Sequence, residues 1–348
     1  MSECTSFGTD FENGLASWLG GEATKSEEHK RAIVNVVGHM FDLHPKITNG
    51  HSKEKEETVS SLPVFCTPLE DLYIKSVGVF VDVFHLIPIF EKLAFKPHGN
   101  LILKGPKGDG KSLSVRTHTF TQRVPLVVVE CSENTKDSTL LGSFVLVGKQ
   151  TVFNLGPIPK AIKTANEVGR CTLLFEEFNA LTPQSQKMLN GVAQERKIEV
   201  PAIGKTFELK DGCEIWIVGT MNPSIYGGTY DVNEDLKSRF GEIDISYAAH
   251  AHEKAILKAV CPGLVDDATL DNLLKFAKES RAAVTGYAIS TRDLVRTVHT
   301  INELGLQPAL QMLACKFEGE DRNVAIARMA PYWNVKITKT WGESPGGA

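Results

Sequence analysis

The sequence predicts an α/β fold in which a parallel sheet is sandwiched by helices and followed by a small all-α domain. Three observations predict it. Short runs that are apolar almost throughout recur at 101–103, 125–131, 171–175 and 214–219, the pattern of strands buried on both faces. Helical patterns separate them at 113–121, 159–168 and 183–195, as crossovers between parallel strands require. From about residue 250 the pattern is helical alone. Helices are expected at 251–260, 267–284 and 291–304, with Thr291 as the candidate cap of the last.

The remaining elements follow in chain order. At 348 residues the chain is long enough for two units of about 150 residues and an extension. We expect a partly helical N-terminal extension over 1–60, an α/β domain over 61–248, a small helical domain over 249–320 and a tail over 321–348. Residues 25–43 have helical spacing, with Ile33, Val36, Val37, Met40 and Phe41 on one side. The charged run 52–57 reads as a solvated linker. Residues 68–95 read as a helix interrupted at Pro88. The glycine-rich end of the chain should fray.

Composition narrows the function classes. Hydrophobic residues make up 42% and charged residues 23%, which gives a globular core and excludes a disordered chain, a collagen or a coiled-coil rod. The net charge of −4 argues against a basic nucleic-acid coat, leaving at most a local basic channel. Seven cysteines, at 4, 66, 131, 171, 213, 261 and 315, include no Cys-x-x-Cys pair. They read as reduced thiols of a cytoplasmic chain, not as a zinc ribbon. The N-terminus has no basic-then-apolar signal pattern. The apolar stretch 76–90 is too short to span a bilayer and contains Asp82 and His85, so no membrane span is expected. The tryptophans at 18, 216, 333 and 341 read as packing positions, and His98 as a solvated loop residue.

Two motifs carry chemistry. Gly105-Pro106-Lys107-Gly108-Asp109-Gly110-Lys111-Ser112 matches G-x-x-x-x-G-K-[ST] and runs into Leu113. It follows an expected strand and opens an expected helix, the context in which backbone N–H groups and a helix N-terminus cradle phosphate. Lys111 is then expected at the β and γ phosphates and Ser112 on Mg2+. A chance glycine-rich turn is the competing reading. Asp109, a carboxylate on the crown of an anion-binding loop, is expected to point to solvent. The second motif is an apolar strand ending in Glu176-Glu177. Consecutive residues at a strand end diverge, so one acid can sit by a metal, the position Glu176 holds, while the other, Glu177, polarises water; surface charges after a strand are the competing reading.

These motifs, in this order, resemble the AAA+ ATPases and, among them, the MoxR-like group. The resemblance runs from about residue 100 to 296. Residues 137–143 resemble the group's Leu-Leu-Gly element, and Gly156-Pro157-Ile158 its Gly-Pro-hydrophobic element. Glu176-Glu177-Phe178-Asn179 is similar to its Asp-Glu-Ile-Asn, with Glu in place of Asp and with Ala180 where arginine is frequent. Residues 197–209 resemble a hairpin before sensor 1, whose tip, Pro201 to Gly204, would face a pore and grip a client. Asn222 resembles the sensor 1 residue, Arg239 in Leu-x-x-Arg-Phe the arginine finger, and Arg292 the sensor 2 residue.

The resemblance implies ATP and Mg2+ as ligands. It also implies a homo-oligomer, usually a six-membered ring, with Arg239 acting on the neighbouring subunit. A client or adaptor is implied as partner, frequently one with a von Willebrand A-like domain. The leading expectation is a remodelling ATPase or chaperone. A nucleic-acid motor and a weakly hydrolysing, ATP-binding assembly protein are the other two classes. Read as residues alone, Arg239 could pair with Asp235 or Glu242. Arg292 could cap a helix or pair with Asp293, and Asn222 before Pro223 could be a turn former.

Overall fold

The computed structural model describes residues 63–223, 230–282, 287–335 and 337–338. The expectations for 1–60, including Trp18 and the linker, and those for Trp341 and the glycine-rich end lie outside the described residues. In chain order the elements are β1 (Val64–Phe65), α1 (Leu86–Leu93), β2 (Leu101–Lys104), α2 (Lys111–Thr121), β3 (Leu126–Glu130), α3 (Asp137–Leu141), β4 (Gly142–Val147), β5 (Gln150–Leu155) and α4 (Pro157–Val168). They continue with β6 (Arg170–Glu176), α5 (Pro183–Glu195), β7 (Lys197–Val200), β8 (Lys205–Glu208), β9 (Glu214–Met221), α6 (Glu234–Lys237) and β10 (Gly241–Asp244). The C-terminal part holds α7 (His250–Val260), α8 (Asp267–Ala282), α9 (Thr291–Leu304), α10 (Leu306–Ala314) and α11 (Gly319–Met329).

The central sheet has five strands in the order β10-β2-β9-β6-β3, and every neighbouring pair is parallel. Side chains alternate across it. Ile102, Leu173, Phe175, Ile215 and Ile217 pack on one face against Ile158 and Ile162 of α4 and Leu189 and Val192 of α5. Leu101, Leu103, Leu174, Trp216 and Val218 pack on the other against Phe90 of α1 and Val115 of α2. This two-sided burial explains why the strands read as continuous apolar runs.

Two smaller sheets are appended. β4 and β5 form an antiparallel hairpin, with β1 added in parallel to β5. Their alternating residues on either side of Gly148-Lys149 are the hairpin signal the sequence reading passed over. β7 and β8 form the expected hairpin at 197–209. Its tip corrects one expectation: Pro201, Ala202 and Gly204 are exposed, but Ile203 is buried with Phe153, Leu155 and Val200. Ile203 anchors the tip to the neighbouring hairpin and offers a client nothing.

Residues 68–95 are likewise corrected. They form a single 3-10 turn, Leu69–Leu72, then an extended connection, then α1. Pro88 lies in the first turn of α1, where the missing N–H has no intrahelical partner to lose. The carboxylate of Asp82 accepts from the amides of Leu86 and Ile87 at 2.8 and 2.9 Å and starts this helix from outside it.

The C-terminal helices have a separate core. Leu257, Leu273, Phe276, Leu294, Val298, Leu310 and Leu313 are buried together, and Ala325, Met329 and Trp333 are buried with them. The helical domain therefore reaches at least Trp333, where the sequence reading began a tail at 321. No helix of the described residues is long and apolar enough to cross a membrane.

Candidate nucleotide site

The chemistry-bearing residues gather at the carboxyl ends of the parallel strands, where open α/β sheets bind ligands. The register explains why. Lys104 of β2 lies level with Met221 of β9 and Asp244 of β10. The loop at 105–110, Asn222 and the strand leading to the helical domain therefore leave the sheet side by side. Gly105 donates to the Met221 carbonyl at 3.1 Å, which fixes the root of the loop on β9.

Between the sheet and the helical domain lies a cleft of about 550 Å3. Lys107, Gly108, Asp109, Gly110, Lys111, Ser112, Leu113, Glu176, Glu177, Asn222 and Arg292 all line it. The loop approaches the helical domain closely. A Cβ at Gly108, whose φ is +78°, would lie 3.0 Å from Ser290 and Arg292 side-chain atoms. Only glycine fits both that backbone and that gap.

The two acids diverge as expected. The Glu176 carboxylate sits 3.1 Å from the Arg116 guanidinium of α2. Glu177 adopts a left-handed backbone, φ +56°. That conformation costs a non-glycine residue roughly 1–2 kcal/mol, and such strain collects at functional positions. It turns the carboxylate toward Asn222, which donates to Glu177 Oε1 at 3.4 Å. Buried Asn179 donates to the Asn222 carbonyl at 3.1 Å. This gives Asn222 a positioning contact with the acid beyond any role as a turn former.

The arginines part company. Arg292, one residue into α9, faces the phosphate loop. Its neighbour Asp293 is engaged by Ser290, Tyr287 and Lys316, so pairing with Asp293 is not its role. The cap of α9 is Ser290, in a reciprocal capping box with Asp293, and not Thr291. Burial alone would raise Asp293, but the hydrogen bonds from Ser290, Tyr287 and Lys316 hold it below the usual carboxylate range. Arg239 is half-buried and outside the cleft. It contacts the Asp235 carbonyl and, at 3.0 Å, Gln194 Oε1, while Glu242 pairs with Lys104.

Asp109 departs from expectation. Its side chain does not point to solvent but turns into the loop, 3.0 Å from the Lys111 ammonium. Lys111 also donates to the carbonyls of Gly105 and Pro106 at 2.8 and 2.7 Å. Burial lowers Lys111 from its ordinary value against the pull of Asp109, and raises Asp109 against the pull of Lys111. The nearby Cys131 thiol is raised by burial and then by Glu177 and Glu176, so it is a packing residue and no nucleophile.

One side of the cleft was missed by sequence reasoning. Gly78, Val79, Phe80, Val81, Val83 and Phe84 form an apolar wall continued by Ala248, Ile256, Val260 and Val295. Its signal was the apolar stretch 76–90, read as part of a broken helix. An apolar wall facing a polar, cationic end suits a planar base joined to a polyphosphate.

Residues 100–240 match the AAA domain (dynein-related subfamily). The chain has the AAA+ fold. The glycine-rich loop 105–112 lies inside the matched residues. Similar proteins include uncharacterised proteins of three staphylococci. The Staphylococcus epidermidis protein is 27% identical over 68% of this chain and 92% of its own length. That of Staphylococcus haemolyticus is 28% identical over 68% and 90%, and that of Staphylococcus aureus 29% over 68% and 90%. Among solved structures, a Cytophaga hutchinsonii protein described as a candidate ATPase is 16% identical, with a TM-score of 0.42 over 78% of this chain and 93% of its own. NtrX from Brucella abortus, solved with ADP, is 16% identical, with a TM-score of 0.44 over 66% and 52%.

Proposed function

We propose that this AAA+ chain is a Mg2+-dependent ATPase of MoxR-like type. It works as an oligomeric ring and uses ATP hydrolysis to assemble, activate or load a partner protein. The observation that carries the reading is the convergence of Lys111, the Glu177–Asn222 pair and Arg292 on one cleft beside an apolar wall. Lys111 and the loop amides bind the phosphates. Glu177, held by Asn222, orients a water and takes its proton. Arg292 couples the phosphate end of the cleft to the helical domain, so the state of the ligand is felt as a change in the angle between the two domains.

The Ser112 hydroxyl and the Glu176 carboxylate offer oxygen donors only, the chemistry that fits Mg2+. When bound, the ion supplies charge neutralisation on the phosphoryl group. Arg239 lies outside its own cleft and, on exchanging its Asp235 and Gln194 contacts, would enter a neighbour's. An arginine supplied in this way is worth roughly 10³–10⁵ in turnover, so an isolated subunit should be nearly inactive.

The test is Glu177→Gln. It should bind ATP, hold the ring together in native mass spectrometry and lower turnover by roughly 10²–10⁴-fold. Undiminished hydrolysis would remove Glu177 from its role. Mixing it with an Arg239→Ala chain should restore activity only if the arginine acts across the interface. A second reading, a nucleotide-binding assembly protein with slow turnover, is favoured by the ion pairs Asp109–Lys111 and Glu176–Arg116. A ring that holds ATP without hydrolysing it would favour that reading.

A further inference from the structure

We propose that Asp109 is the resident anion of the phosphate loop and sets its affinity for nucleotide, so that binding is an exchange of one anion for another. The inference rests on the nucleotide-binding reading of this cleft.

Asp109 occupies the groups that a phosphate would use. Its Oδ1 lies 3.0 Å from the Lys111 ammonium and its Oδ2 lies 3.2 Å from it. Oδ1 also accepts from the Lys111 backbone amide at 3.3 Å. The side chain is 2% exposed, and a Cβ built on Gly105 would lie 2.5 Å from Oδ2. The carboxylate is therefore folded across the inside of the loop, with glycine opposite because nothing larger fits. A helix N-terminus and a cation make an anion site, and here the chain's own acid fills it.

Two consequences follow from electrostatics. Lys111 is neutralised locally before any ligand arrives, so its pull on an incoming phosphate is weakened. If the carboxylate stays in place, it stands beside the phosphate as a like charge with little water to screen it. If it leaves, a charge-assisted hydrogen bond is given up. Either way Asp109 weakens binding. It does so more for ADP, which has no γ-phosphate to draw further contacts from Lys111 and Arg292.

The experiment measures equilibrium dissociation constants of ATP and ADP, with Mg2+ present, for the full chain and for Asp109→Asn, with Asp109→Ser as the variant that leaves the space open. Each is repeated with Lys111→Ala. The expected result is roughly tenfold or tighter binding in both Asp109 variants, with the larger gain for ADP. Lys111→Ala should also cost more in those variants than in the unaltered chain. A structural role alone would weaken binding. Unchanged or weaker binding in both variants overturns the proposal and leaves the nucleotide site standing. So does a Lys111→Ala penalty that is the same with and without Asp109. Absence of nucleotide binding in every chain overturns the site reading itself.

Discussion

The two sides of the cleft place their functional groups by different physics. On the sheet side, Lys111, Glu177 and Asn222 are set by strand register. The parallel ladder brings the strand ends level, and apolar packing on both faces holds the ladder. On the helical side, Arg292 is set by buried charge. The preceding residue, Thr291, donates to Glu253 at 2.6 Å. Glu253 is 2% exposed and receives both terminal nitrogens of Arg281 at 2.8 Å. Arg281 lies 3.9 Å over the Tyr247 ring, on the strand-to-helix connection where the two domains join. The sheet side is thus held by apolar packing, whereas the start of α9 is held by the desolvated Glu253–Arg281 pair together with the Ser290–Asp293 box. The side that the proposed cycle would move is the one whose lining arginine stands on strong, directional contacts.

Breaking that pair is the largest test. Arg281→Met strands a buried carboxylate and should cost about 3–5 kcal/mol in urea unfolding, with Arg292 function impaired alongside. The double variant with Glu253→Leu should recover much of the loss, because two apolar groups leave no charge uncompensated. Recovery from the double variant no better than from the single would place the cost in packing and not in charge. Next in size, Ser290→Ala removes the cap oxygen of α9 and should cost about 1 kcal/mol, read as a fall in Tm.

The smallest effect contrasts the two sides by pH. His118 of α2 is buried against Phe90 and Trp216, and neither ring nitrogen has a partner among the described residues. Burial pushes its pKa below the ordinary value, with Glu91 pulling weakly the other way. The unfolded chain therefore takes up a proton first as pH falls through about 6.5. Stability supplied by neutral His118 is lost from that point downward. Asp293 is depressed instead, so its contribution holds until pH falls below about 4 and is lost through its lower folded value. Thermal melts between pH 7 and 5 should show a decline that His118→Phe flattens and Asp293→Asn leaves in place. An unaltered slope in His118→Phe would assign the decline to other groups.

The sequence by itself determined the four expected strands, the helices between them, and the loop and acid pair at their ends. These features are local. An apolar run buried on two faces, or eight consecutive residues matching one motif, needs no distant partner to be recognised. The residues 78–84 wall escaped because its function comes from a helical domain folding over it some 170 positions later in the chain. The helices α10 and α11 escaped because their apolar sides make sense only against the core of α7 to α9. Only the tertiary structure decided which way Asp109 turns, which residue caps α9, and that Ile203 is an anchor. In each case the choice is made by burial and by charged or polar partners, and those are fixed when the chain closes on itself.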